Sequence, residues 1–125
     1  MSTAPLRLYS YPKCSTCRRA LQWLAERGLT PGTGLEVVDI TTDPPSLAEL
    51  RQALAALGDR KRLFNTSGQS YRSLGAAAVA ALSDEQALEA LAADGKLIKR
   101  PFALTANRQA LVGFKPEEWS VSLGL

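Results

Sequence analysis

The chain of 125 residues contains no histidine, two cysteines, one methionine and only 6% aromatic residues. Without histidine it has no imidazole general base, no Ser-His or Cys-His relay and no histidine-ligated metal of its own. Two thiols cannot by themselves close a four-thiolate zinc or iron–sulfur site, so no metal site is expected. Long apolar runs are also missing. The longest, near Ala76 to Leu82, is far too short to span a bilayer. Met1 to Pro5 is polar, and Arg7 interrupts Leu6, Leu8 and Tyr9, so no secretory hydrophobic region is visible. A cytoplasmic protein is expected, in a compartment that keeps thiols reduced.

What is present is an ordinary globular mixture, with 46% hydrophobic and 22% charged residues. The 15 basic and 12 acidic side chains leave a net charge of +3. That is too mild to imply a nucleic acid or an anionic membrane surface as partner, although it would tolerate a small anionic substrate. A chain of this size buries roughly two thirds of its unfolded surface. One domain over residues 1–125 is therefore expected, without disulfide staples and as a monomer.

Leu6 to Ser10 alternates like a strand and is broken by Tyr11-Pro12-Lys13. From Ser15 to Arg27 the residues Ala20, Leu21, Trp23 and Leu24 recur at helical spacing, and Gly28 is placed to end the helix. Leu35 to Ile40 reads as a second strand, giving a βαβ unit with a parallel crossover. Ser46-Leu47-Ala48-Glu49 has the form of a capping box opening a helix to Leu57. Residues 46–95 read as a helical insertion, with another helix from Ser83 to Ala93. Phe102 to Leu104 and Ala110 to Val112 then suggest a β-hairpin, followed by a helix from Glu117.

Cys14-Ser15-Thr16-Cys17 lies where the first strand hands over to the first helix. A thiol at a helix N-terminus meets unpaired N–H groups and the positive end of the helix dipole, which favour thiolate. Cys14 is the expected nucleophile. Cys17, one turn further in, is placed to resolve a mixed disulfide, and Lys13, Arg18 and Arg19 add positive charge. The same spacing occurs in half of a zinc ribbon, which here would need a second copy of the chain, and in pairs of inert, packed cysteines.

The stretch Tyr11-Pro12-Lys13-Cys14-Ser15-Thr16-Cys17-Arg18 resembles the active-site opening of the ArsC/Spx family, which contains thiol-coupled arsenate reductases and Spx transcription regulators. Phe64-Asn65-Thr66-Ser67-Gly68, Lys96-Leu97-Ile98-Lys99-Arg100-Pro101 and Val112 to Trp119 resemble later blocks of the same family, in the same order. The resemblance implies an α/β, thioredoxin-like fold, β-α-β, helical insertion, β-β-α, with a four-stranded mixed sheet. It also implies a cis peptide before Pro101, facing the redox thiol.

The family's arsenate reductases hold their oxyanion with three arginines. By resemblance these positions fall on Asn65, Arg100 and Lys115, so only Arg100 keeps the guanidinium. Lys115 keeps charge without the planar fork, and Asn65 brings none. The catalytic candidates are therefore Cys14, Cys17 and Arg100. Lys13, Asn65, Pro101 and Lys115 are candidates for holding a substrate or thiol.

The activity this implies is thiol–disulfide exchange by Cys14, with Cys17 or glutathione as resolver. Arsenate reduction coupled to glutathione, glutaredoxin or thioredoxin is an alternative. So is an Spx-like redox-sensing regulator that binds RNA polymerase. No tightly bound cofactor is expected; glutathione or thioredoxin would serve as reductant. The partner is then a small-molecule thiol or oxyanion, or a thiol–disulfide protein. Lys99 and the run Arg60-Lys61-Arg62 are expected to be solvated, while Tyr9, Tyr11, Trp23 and Trp119 are expected to line the core or a groove wall.

Overall fold

The computed structural model describes residues 5–125; most of the polar opening read above, residues 1–4, lies outside them. Strand β1 (Leu6–Ser10) runs into helix α1 (Ser15–Glu26), followed by β2 (Thr30–Pro31) and β3 (Gly34–Asp39). Between β3 and the closing hairpin lie α2 (Leu47–Leu57), α3 (Gln69–Leu74), α4 (Ala76–Ala80) and α5 (Asp84–Ala93), with short 3₁₀ turns at Arg60–Leu63 and Gly95–Leu97. Strands β4 (Phe102–Leu104) and β5 (Ala110–Val112) precede α6 (Pro116–Leu123).

The sheet order is β2-β3-β1-β4-β5. β1 pairs parallel with β3 and antiparallel with β4, so the sheet is mixed. It has five strands rather than the four expected. The extra one, β2, is two exposed residues, one of them proline, pairing with the start of β3. So short a strand has no apolar alternation to read, and proline belongs at such an edge.

Alternation along the other strands sends successive side chains to opposite faces. Leu8, Leu35, Ala103 and Leu111 pack with Ala20, Trp23 and Leu24 of α1 and Trp119 of α6. Trp23, Phe114 and Trp119 meet edge to face, with centroids 5.2–6.3 Å apart. Tyr9, Phe102 and Val112 face the other way, onto an aliphatic layer that includes Leu50 of α2 and Leu88 and Leu91 of α5.

Both long helices of that layer begin with a reciprocal capping box. Ser46 Oγ accepts from the Glu49 amide, and Ser83 Oγ accepts from the Gln86 amide. Glu49 also accepts a hydrogen bond from the Tyr9 hydroxyl at 3.0 Å, tying α2 to the central strand.

Two details correct the expectation of a solvated basic run and place the segment before β4. Arg60 is half-buried, not solvated: its guanidinium donates to the Ala80 carbonyl at 3.0 Å and to that of Leu82, and pairs with Asp84 at 3.4 Å. It thereby satisfies carbonyls left open at the end of α4, a contact across about twenty residues that no local pattern encodes. Gly95 lies against the main chain where β3 ends, so that a Cβ there would fall 1.7 Å from the Ile40 carbonyl oxygen. Any side chain at that position would force the 3₁₀ turn off the sheet.

Candidate active site

The site forms where three chain segments converge. The first is the start of α1. Cys14 is its N-cap, in extended conformation, and its sulfur accepts from the Cys17 amide at 3.4 Å. The loop before it is closed by the Cys14 amide donating to the Tyr11 carbonyl and by Arg18 donating to the Pro12 carbonyl, at 3.0 and 3.1 Å. The first turn of α1 carries no acidic side chain, so nothing there offsets the positive helix end.

The second and third segments are paired. The Lys99 amide donates to the Leu63 carbonyl and the Asn65 amide to the Leu97 carbonyl, both at 2.7 Å, around an antiparallel bridge between Phe64 and Ile98. This holds the loop at residues 65–68 beside Arg100 and Pro101. The Arg100–Pro101 peptide is cis, as the resemblance implies.

The two thiols differ sharply. Cys14 is partly exposed and Cys17 is fully buried, and both are free. Burial works against a Cys14 thiolate, but donors from Cys17, the Arg100 guanidinium and the Thr16 amide outweigh it and hold the Cys14 thiol below its ordinary value. Burial pushes the Cys17 thiol up to about 11, helped by the neighbouring Cys14 and only partly relieved by the Tyr11 amide and Ser10 hydroxyl. Without any histidine, helix end and guanidinium do the activating.

Cys14 opens onto a cleft of about 410 Å³. Asn65, Arg100 and Lys115 all line it, so the structure brings together the three positions that correspond by resemblance to the family's arginines. Pro101 is buried behind Arg100, and the guanidinium lies 4.9 Å from the centre of the Tyr11 ring, within cation–π range. Lys115 is exposed and loosely paired with Glu118 at 3.9 Å. Lys13 is exposed in the loop before Cys14 and is not among the residues that line this cleft. The structure leaves it outside the cleft.

The cleft also holds Thr16, Ser67, Gly68, Lys99 and Phe114. Ser67 Oγ donates to Asn65 Oδ1 at 3.2 Å, and the Asn65 amide folds so closely over Gly68 that a Cβ there would lie 2.6 Å from its nitrogen. Lys99, although exposed, is no bystander: its stem crosses Gly113, where a Cβ would stand 3.0 Å from Lys99 Cε. Two adjacent cations, Lys99 and Arg100, between buried Ile98 and Pro101 carry no local pattern showing that both reach the same cleft.

A mixed sheet, a two-thiol helix start and a cis peptide between Arg100, which shares the cleft with Cys14, and Pro101 define a thioredoxin-like protein. Residues 9–121 match the ArsC family model, and the chain belongs to that family. It is 41% identical over 116 residues to the uncharacterised protein YusI of Bacillus subtilis, covering 91% of this chain and 94% of that one. An arsenate reductase of Neisseria meningitidis is 33% identical over 110 residues, covering 86% and 89%. Among solved structures, an ArsC-family-related protein from Bacteroides fragilis superposes with a TM-score of 0.83 at 36% identity, covering 96% and 98%. No helix among the described residues is long and apolar enough to cross a membrane. Nor do the described residues group three or more Cys, Asp or Glu side chains where a metal could sit.

Proposed function

We propose that the protein is a thiol–disulfide oxidoreductase with Cys14 as nucleophile and Cys17 as resolver. The supporting observation is the inequality of the two sulfurs: a cleft-facing thiol held low beside Arg100, and a buried thiol one helical turn away pushed up to about 11.

In the first step the Cys14 thiolate attacks one sulfur of a substrate disulfide, forms a mixed disulfide and expels the other half as thiolate. In the second, Cys17 gives up its proton to solvent and attacks the Cys14 sulfur. The second substrate half leaves as thiolate, which solvent protonates, and a Cys14–Cys17 disulfide remains. The substrate disulfide gains two electrons, and the enzyme dithiol loses them. Reduced thioredoxin, or two molecules of glutathione, then returns the protein to the dithiol. Consuming the Cys14 thiolate also relieves Cys17 of a neighbour that raises its pKa, which favours the second step.

Arsenate reduction has weaker support, because the cleft offers one guanidinium, one lysine and one uncharged amide at the positions that correspond to the family's three arginines. The test is turnover of a glutathione mixed disulfide, with arsenate-dependent thiol oxidation run in parallel. Turnover abolished by Cys14→Ser, without arsenate reduction, is the expected result. Turnover that survives Cys14→Ser overturns the reading.

A further inference from the structure

Arg100 forms part of two adjoining cavities. The larger holds Cys14, Lys99 and Lys115; the smaller, about 200 Å³, holds Tyr11 and Lys96 on the other side of Arg100. Asn65 and Gly68 also line both, so the two are lobes of one cleft with the guanidinium, stacked on Tyr11, at its waist. The lobes contain four cationic side chains and no carboxylate. Lys96, Lys99 and Arg100 have no acidic partner within ion-pair distance among the described residues, whereas the pair Lys115–Glu118 is exposed and long. A protein with a net charge of only +3 has thus gathered four cations around its exposed thiol. Such a field raises the local concentration of anions and repels cations.

We infer that the cleft selects a low-molecular-weight disulfide carrying a carboxylate on each side of its sulfur–sulfur bond. Lys99 meets one carboxylate in the larger lobe and Lys96 the other in the smaller. The lysine stem lies along the cleft wall against Gly113, where a Cβ would stand 3.0 Å from Lys99 Cε. Asn65 and Ser67 supply uncharged hydrogen-bonding groups between the two ends, which suits a carboxylate-bearing chain better than a compact oxyanion needing a cage of guanidinium groups. The inference rests on the thiol-exchange reading of the same site and adds charge selection by Lys96 and Lys99.

Three disulfides of similar size separate the two ideas: dianionic 3,3′-dithiodipropionate, neutral bis(2-hydroxyethyl) disulfide and dicationic cystamine. Divided by the rate of the same disulfide with a neutral free thiol, which removes differences in leaving-group acidity, kcat/KM is expected to fall in that order, by about tenfold at each step at low salt, and the spread contracts in 0.5 M sodium chloride. Lys99→Gln and Lys96→Gln each narrow it, chiefly through KM of the dianion. Lys61→Gln, which removes an equal charge outside the cleft, leaves it in place. Equal or reversed ratios, with Cys14-dependent turnover intact, overturn charge selection and leave the oxidoreductase reading standing.

A second measurement does not depend on turnover. Iodoacetate and iodoacetamide both lose iodide to the same Cys14 thiolate, so the ratio of their rates is independent of its pKa. In the Cys17→Ser background this ratio is expected to favour iodoacetate several-fold more than it does for a free thiol, and to fall in Lys99→Gln. A ratio equal to that of the free thiol overturns the inference even if no disulfide is turned over.

Discussion

Cys14 and Cys17 sit on one turn of one helix, bear the same functional group, and are given opposite chemistry by their surroundings. Cys14 is the helix cap, facing a cationic cleft; Cys17 is inside the first turn, packed out of solvent between the helix and the end of β1. Residues three apart are neighbours on a helix face, but Cys14 is the cap, with extended backbone, and Cys17 lies inside the first turn, so one sulfur borders the cleft and the other the interior while the two stay adjacent. The difference teaches that burial and the donors around each sulfur, not the functional group, set its chemistry.

Removing Cys14 should break the comparison outright. Cys14→Ser is expected to lower disulfide turnover by about a thousandfold or more, the scale of losing a covalent nucleophile, as measured with a glutathione mixed disulfide. Cys17→Ser should cost less, roughly tenfold with glutathione present, and should trap a mixed disulfide on Cys14 visible in the intact mass. If both variants are equally inactive, the division of labour between the thiols is wrong.

The pH dependence sharpens the same contrast. Thiolate fraction rises as pH rises through a thiol's pKa, so the alkylation rate of Cys17→Ser should reach its half-maximum below the ordinary thiol range of about 8.5. In Cys14→Ser the remaining thiol should stay protonated, and slow to react, across neutral pH, gaining reactivity only at strongly alkaline pH; removing its Cys14 neighbour should bring its midpoint below the value of about 11. Arg100→Gln removes a donor to Cys14, moves the first midpoint upward and should slow alkylation at pH 7 by about three- to tenfold. An unchanged midpoint would assign the activation to the helix end alone.

The smallest effect compares a thiol cap with a hydroxyl cap. Ser46→Ala removes the cap of α2 and should cost about 1 kcal/mol in urea denaturation while leaving Cys14 alkylation unaltered. Cys14→Ser should leave stability nearly unchanged, because serine is itself a good cap, even though activity is lost.

Much of this was legible in the sequence because it rests on local rules. The boxes at Ser46 and Ser83 mark the starts of α2 and α5, alternation marks β1 and the hairpin, and the cysteine spacing marks the start of α1. What stayed hidden depends on contacts between distant residues. Arg60 is read as one of three solvated cations because its partners lie on α4, on α5 and in the turn between them. Lys99 and Gly113, far apart in sequence, line the same cleft and lie against each other there. β2 is too short to have a pattern, and α4 is an alanine-rich turn without periodicity behind Gly75.

The pairing of Leu63 and Asn65 with Leu97 and Lys99 is made by main-chain groups alone. It positions the loop opposite Cys14 without recruiting the side chain of residue 65. Within that frame the Asn65 side chain accepts from Ser67 and packs over Gly68, so a replacement there changes the hydrogen bonding inside the loop and leaves the main-chain pairing in place. Natural variation at this one position can retune what the cleft accepts without rebuilding the scaffold that holds it.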